Sequence, residues 1–471
     1  MPACILPPFD REVLQRLPLS EAVLLLARHA TSPDILGDLF DRHRGAAYQR
    51  ELSFSTLVTL IGDALLEHDG SGRQSFQRGQ EQGELAVSVQ AAYQKLGRLP
   101  LPVSEAFLAE STQRLLEVLP APQPNSPLPA SLHAFEIIVL DGKAIKRVPK
   151  RLLPLRGCAG GVLGGKGLAA VNLRNHLALA MATHADGHTN EAKLVPALLP
   201  QVRAHAQAIL WVADAQFGNP TQIAAFTARP GDHAVVRYDG KSRFDIDDSR
   251  PVRSGVDRRG RRYEESWGWL GGPQNRHRRL VRRVSLERPE EATLVLFTDL
   301  VDADKYPADD ILEVYLLRWG IERVFAEITE VFQLKRLIGS APPGTIFQLA
   351  LCLWWYNLIQ VVRAYVASGA GLAVEQVSSE LLFVDVQRQM IALHEMLPLA
   401  QIVPLLPAPI GATELRQRLE SLLHPLWTER WRKSPAQRRK ATQKPRGKRE
   451  CTSAYRLIHR DRLPNHKLVP K

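Results

Sequence analysis

Two short runs of strand-forming residues each stop at an aspartate: "FEIIVLD" at 135–141 and "AILWVAD" at 208–214. Apolar runs of this length, rich in β-branched residues and closed by polar turns, read as buried strands. Adjacent strands bring their C-terminal ends to one edge of a sheet, where open α/β folds place their active sites. Two carboxylates at such an edge repel unless a cation lies between them, and hard oxygen donors suit Mg2+ or Mn2+ rather than zinc. Taken singly, each aspartate reads more simply as a turn residue.

The chain around these runs changes character twice. Residues 1 to about 120 carry apolar residues at helical spacing, as in "SEAVLLLARHA" and "FSTLVTLIGDALLE". The Pro-rich "PAPQPNSPLPAS" (120–131) marks a boundary. Beyond it come the first Asp-ended run and a Gly-rich loop, "RGCAGGVLGGKG". Two strands then meet at a turn near Asn175. A helix over "NEAKLVPALLPQVRA", the second Asp-ended run and a strand at "DHAVVRYD" follow. From about 240 to 290 the sequence is arginine-dense and reads as a β-rich insertion, closed by a returning strand at "ATLVLFTDL". One long helix is expected over 307–337, with Pro307, Asp309 and Asp310 in its first turn and Gly339 as its stop.

On that helix Tyr315, Arg318 and Glu322 stand at i, i+3 and i+7, within an arc of about 60°. Val314, Leu317, Ile321, Val324, Phe325, Ile328 and Phe332 form the neighbouring apolar stripe. The helix therefore packs on something and carries a Tyr/Arg/Glu edge along the contact, which lets a third carboxylate join the two aspartates. The plainer alternative is a solvated flank with an ordinary i,i+4 Arg–Glu pair.

These features together resemble the insertion sequence 4 family of DDE transposases, whose signature is Tyr-x2-Arg-x3-Glu-x6-Lys. Tyr315, Arg318 and Glu322 match it in type and spacing; Thr329 stands where the lysine would be. "AAYQKLGRLPLPVSEAFLAE" is similar to the family's N-terminal DNA-binding region, and "GTIFQLALCLWWYNLI" to the helix after its glutamate. The resemblance implies an α/β fold with a ribonuclease H-like core, a mixed five-stranded sheet with flanking helices. It would span 131–370, with a β-rich insertion at about 239–292. A helical DNA-binding region (1–130) would precede it, and a helical region with a basic tail (371–471) would follow. It implies Asp141, Asp214 and Glu322 as catalytic residues and metal ligands, holding two Mg2+ ions for which Mn2+ can substitute. Tyr315, Arg318, Trp319, Lys143 and Arg336 would contact DNA. The partners implied are double-stranded transposon ends and target DNA, bound by a homodimer, and the location a cytoplasmic, nucleoid-associated one.

The formal charge of +12 favours a nucleic-acid partner independently of the resemblance. Arg250, Arg253, Arg258, Arg259, Arg261, Arg262, Arg278, Arg279, Arg282 and Arg283 of the insertion are expected to follow the DNA backbone. Trp267 and Trp269 are candidates for stacking on an extruded base, or simply for packing. The tail from Arg430 to Arg449 holds ten Lys or Arg and no acid, and reads as a DNA-neutralising arm or an ordinary basic end. "HADGH" (184–188) reads as a turn rather than a ligand set, and "GGVLGGKG" lacks the Walker order. "TIFQLALCLWWYNLIQVVRAYVA" contains Gln348, Asn357, Gln360 and Arg363, so a buried core helix is expected rather than a membrane span. The region from about 370 to 425 is the expected dimer interface. Two other functions stay open: a DNA-binding relic without catalysis, and a metal-dependent nuclease without strand transfer.

Overall fold

The computed structural model describes residues 8–121, 128–289, 291–397, 399–406, 411–434 and 451–459. Seven helices come first: α1 (Pro8–Gln15), α2 (Pro18–Thr31), α3 (Pro33–His43), α4 (Phe54–Leu66), α5 (Gly72–Glu81), α6 (Val89–Gly97) and α7 (Leu101–Glu117). Several begin where the sequence supplies a side-chain oxygen for the free N–H groups of the first turn. Ser53, Ser71 and Ser88 accept from Thr56, Gln74 and Ala91. The centre of the "PAPQPNSPLPAS" boundary lies outside the described residues.

The apolar runs then form a sheet. Its first part contains β1 (Glu136–Ala144), β3 (Lys166–Asn172), β4 (Ala178–His184), β5 (Ile209–Ala213) and β6 (His233–Arg237), in spatial order β4-β3-β1-β5-β6. β1, β5 and β6 are parallel, while β3 and β4 are antiparallel to their neighbours. Two helices, α8 (Val195–Arg203) and α9 (Pro220–Phe226), make the crossovers on either side of β5. This mixed sheet, behind a mostly helical N-terminal region, is consistent with a ribonuclease H-like core.

The insertion does not stand apart as a separate subdomain. Its strands β7 (Phe244–Ile246), β8 (Arg253–Val256), β9 (Arg262–Leu270) and β10 (Arg279–Leu286) join the main sheet through β11 (Leu294–Thr298), which pairs antiparallel with both β10 and β6. Ten strands thus form one sheet. The Gly-rich loop also holds a strand, β2 (Gly161–Leu163), which a distant segment covers.

The expected long helix is two helices, α10 (Ala308–Leu317) and α11 (Trp319–Glu330). At Arg318 the i→i+4 ladder gives way: the Arg318 N–H bonds the Tyr315 carbonyl, and the Ile321 N–H bonds that of Arg318. Gly320, a poor helix former, follows at once. Nor does α11 run on to Gly339. Gln333 takes the left-handed conformation (φ 61°), and the Leu334 N–H reaches back to the Ile328 carbonyl at 3.0 Å, a closure usually made with glycine. Burial of Phe332, Leu334, Leu337 and Ile338 drives this reversal, because their spacing does not fit one helical face.

The central helix α12 (Pro342–Gly369) is buried on all sides, as expected of a core helix. Gln348 and Asn357, two of its buried polar residues, are paired on both the oxygen and the nitrogen. The Gln348 side chain accepts from the Ile338 N–H and donates to the Arg336 carbonyl, both at 2.9 Å. Asn357 accepts from the Ala178 N–H at 2.8 Å and donates to its carbonyl and to the Thr112 hydroxyl. Behind it lie α13 (Ser379–Met396), α14 (Leu399–Leu405) and α15 (Ala412–Leu423), and the last described elements are β12 (Cys451–Ser453), on β2, and α16 (Ala454–Ile458). The apolar stripes of α13 and α15, expected at a dimer interface, pack against α2 of the same chain. Arg418 of α15 is ion-paired there with buried Glu21 at 2.5 Å.

Asn357→Leu leaves the Ala178 amide buried without a partner, and the Thr112 hydroxyl keeps only its bond to the Ala178 carbonyl. It is expected to lower stability by about 2–3 kcal/mol, read as a lower urea midpoint. An unchanged midpoint would mean that water enters beside α12.

Candidate active site at the sheet edge

The last parallel rung between β1 and β5 pairs Leu140 with Ala213. Asp141 and Asp214 are the next residues on strands that lie about 4.8 Å apart, so the register itself sets the two carboxylates side by side. They differ in one respect from the reading as strand ends. Asp214 does end its strand, but β1 runs on to Ala144, with Asp141 opposite Ala169 of β3. Asp141 marks where β5 drops away, not where β1 stops.

Glu322 faces them from the exposed first turn of α11. The Arg318 side chain, buried at the junction of α10 and α11, lies among all three. Its guanidinium is 3.6 Å from the Glu322 carboxylate and stacks over the rings of Tyr315 and Trp319, 5.5 and 5.4 Å from their centres. Burial alone would lower its pKa, but Tyr315, Asp214 and Asp141 raise it instead. The Tyr315 hydroxyl donates to Asp214 at 3.4 Å, and Arg237 lies 3.9 Å from the same oxygen. Burial, and then Asp214, push the Tyr315 pKa to about 12, so this hydroxyl stays a donor across the physiological range.

Burial also pushes the Asp141 carboxyl up to about 6. The Gly142 N–H, bonded at 2.9 Å, and Arg318 oppose the rise, while Glu191 and Glu322 add to it. A carboxyl raised partly by its carboxylate neighbours marks a place short of positive charge. The three carboxylates are not drawn into a closed ligand set, since their oxygens do not all lie within 4.8 Å of one another. Hard oxygen donors on two strands and a helix, with Arg318 among them and Arg237 beside Asp214, fit divalent cations such as Mg2+ or Mn2+.

Sequence reasoning missed Glu191. It follows Asn190, whose side chain caps a short helical turn ahead of α8. Its carboxylate fills the space that a Cβ on Gly142 would occupy, and it bonds Lys166 of β3 at 3.1 Å and the Gln216 side chain just after Asp214. No spacing links 191 to 141 or 216; only the sheet topology brings them together.

The expected DNA contacts divide. Tyr315 and Arg318 lie in the site, and Trp319 is half exposed beside them. Lys143 reaches across to α11, where its ammonium bonds the Phe325 carbonyl at 3.2 Å. Thr329, in the signature-lysine position, bonds the same carbonyl at 2.6 Å. Lys143, Lys146, Arg147, Lys166 and Lys335 line a cleft of about 460 Å³ that opens beside Glu191. Arg336 is not on the Tyr/Arg/Glu edge, because α11 has ended. It pairs instead with Asp69 of the N-terminal region at 3.1 Å.

Most arginines of the insertion are held by acids rather than left free for phosphate. Arg258 pairs with Asp309, Asp310 and Glu313 of α10, Arg261 with Asp257, Arg253 with Asp304, Arg250 with Asp247 and Arg278 with Asp245. Arg282 is wholly buried on Glu265 and the Tyr306 carbonyl. Trp267 is also packed, its ring N–H donating to the Val301 carbonyl at 2.8 Å, whereas Trp269 is exposed under Arg278. "HADGH" is a turn, as read: Asp186 accepts from the His188 N–H and pairs with Arg456. The tail stretch 435–450 lies outside the described residues.

Parallel strands that carry aspartates to one sheet edge, faced by a helix with a glutamate and an arginine, gather oxygen donors of the kind that suit a divalent cation. Residues 134–358 match the family model of the transposase DDE domain, from just before β1 to well inside α12, and the match supports a DDE transposase. Such a domain implies catalysis on DNA and, in general, the use of divalent metals. No curated protein matches the chain.

The raised pKa of Asp141 gives a signed expectation for metal-free protein. Its protonated form is favoured by folding, so its contribution is fully present below about pH 4 and is lost as pH rises through about 6. Asp141→Asn is therefore expected to match the wild type in stability at pH 4 and to exceed it at pH 8. The gain is about 2–3 kcal/mol, read from thermal melts in chelator. Equal melts at both pH values would contradict it.

Proposed function

We propose that this protein is a cut-and-paste transposase of insertion sequence 4 type, cleaving DNA at transposon ends and joining them to target DNA. The observation that carries the reading is the Leu140–Ala213 rung, which sets Asp141 beside Asp214 and opposite Glu322 with Arg318 in their midst. Asp141, Asp214 and Glu322 would hold two Mg2+ ions. Bound there, the ions would supply an activated water or DNA 3′-hydroxyl and stabilise the leaving oxygen.

The chain's own groups account for the rest. Arg318, fixed by stacking on two rings, offers its guanidinium bidentately to a phosphate near the scissile bond. The Tyr315 hydroxyl orients Asp214. Lys143 and Lys146 give the cleft beside α11 the positive charge that Thr329 does not supply, so DNA contacts are carried from the β1 side. The helical region 1–130 takes the role of end recognition, and two copies hold two ends.

Purified protein with Mg2+ and DNA from the borders of its own gene is expected to nick at the element boundary and to form joined products. Glu322→Gln should reduce nicking by about 10³-fold or more while leaving end binding intact. Nicks without joined products would favour a nuclease. Binding without cleavage by either protein would favour a DNA-binding relic, the reading that Thr329 itself speaks for. Lys143→Ala is expected to weaken binding to DNA ends and to lower the salt slope by about one. An unchanged slope would remove Lys143 from the DNA path.

A further inference from the structure

Away from the sheet edge, Asp63 in the last turn of α4 and Glu67 at its C-cap stand one turn apart, and His394 of α13 faces them. One ligand atom from each lies within 4.8 Å of the others. They line a small, partly open pocket of about 30 Å³, room for a single water-sized occupant. His68, Ser75, Arg78 and Glu84 complete its wall.

The polar contacts do not close on themselves. One Glu67 oxygen pairs with Arg78 at 2.6 Å and the other with His394 Nδ1. The Asp63 carboxyl makes no hydrogen bond or ion pair among the described residues, and burial pushes it up to about 7. The Nε2 atoms of His394 and His68 are buried without a partner. The half-buried Asp63 carboxylate, without a protein partner among the described residues, lines the same small pocket as the unpartnered His394 imidazole nitrogen. An ionic cluster built only for stability would pair Asp63 with Arg78, which bonds Glu67 instead.

We propose that Asp63, Glu67 and His394 form a transition-metal site, for zinc or a similar ion, that braces α4 of the N-terminal region to α13 of the C-terminal region. One imidazole with two carboxylates is a donor set that suits zinc better than Mg2+, whose sites are all oxygen. A fourth position is left for water. Binding displaces the proton shared by Glu67 and His394 into solvent and gives Asp63 its missing partner. Arg78 stays on the outer oxygen of Glu67 and orients that carboxylate. The site is separate from the sheet edge and does not depend on the catalytic reading.

The test uses tag-free full-length protein stripped with chelator and titrated with Zn2+ or Co2+. An Asp141→Asn, Glu322→Gln variant removes uptake at the sheet edge. That variant is expected to retain one equivalent, with Co2+ giving visible d–d bands and the zinc absorption edge showing imidazole scattering. Added Zn2+ should raise its melting temperature. Asp63→Asn in the same background is expected to lose the equivalent and the thermal response. It should nonetheless melt higher than its parent when both are metal-free at pH 8, so a folding defect does not mimic the result. His394→Gln should lose the imidazole signature. No bound equivalent in the catalytic variant, or one that survives Asp63→Asn, would overturn the proposal and leave a proton-sharing cluster.

Discussion

The structure depends on one register: Leu140 opposite Ala213 in a buried parallel pair. Parallel strands covered on both faces must be apolar throughout, and Ile137 to Leu140 and Ile209 to Ala213 are fully buried. The first residues beyond the shared rung are the first free to be polar, and both are aspartates. A shift of one residue would turn every side chain of one strand to the opposite face, so packing of the core fixes the spacing of the carboxylates. Gly142 extends the same constraint, because only a residue without Cβ lets Glu191 approach β1.

Arg318 is the counterpart on the helical side. A buried guanidinium is unfavourable unless acids surround it, and here the acids are those of the site. The break between α10 and α11 falls at this residue, where local helix geometry yields to placing the charge. A divalent cation entering among Asp141, Asp214 and Glu322 would compete with Arg318 for the same carboxylates and free the guanidinium for a phosphate. The neighbouring cleft shows a related substitution of means. Thr329 bonds back to its own helix, and cationic side chains enter from β1 instead.

What the sequence made legible follows from how local each signal was. The apolar runs announced β1, β5, β6 and β11. Gln348 and Asn357 marked α12 as a core helix, since they needed protein partners. Periodicity could not show that the chain reverses at Gln333, just past the end of α11, because a glutamine in the left-handed region leaves no compositional trace. The strand inside "GGVLGG" was hidden because its partner, β12, lies far along the chain. Charge density likewise misled for the insertion: the acids that neutralise Arg253, Arg258 and Arg282 come from loops, α10 and β9, brought close only by folding. Glu191 was invisible for the same reason.

The central claim is that Asp141, Asp214 and Glu322 jointly hold a divalent cation. Fe2+ placed in the protein and treated with peroxide cuts the backbone where the ion is held, and mass spectrometry locates the cuts. The account expects cuts clustered near residues 141, 214 and 318–322, suppressed by excess Mg2+ and by Glu322→Gln. Cuts absent from all three segments, or unaffected by Glu322→Gln, would contradict it.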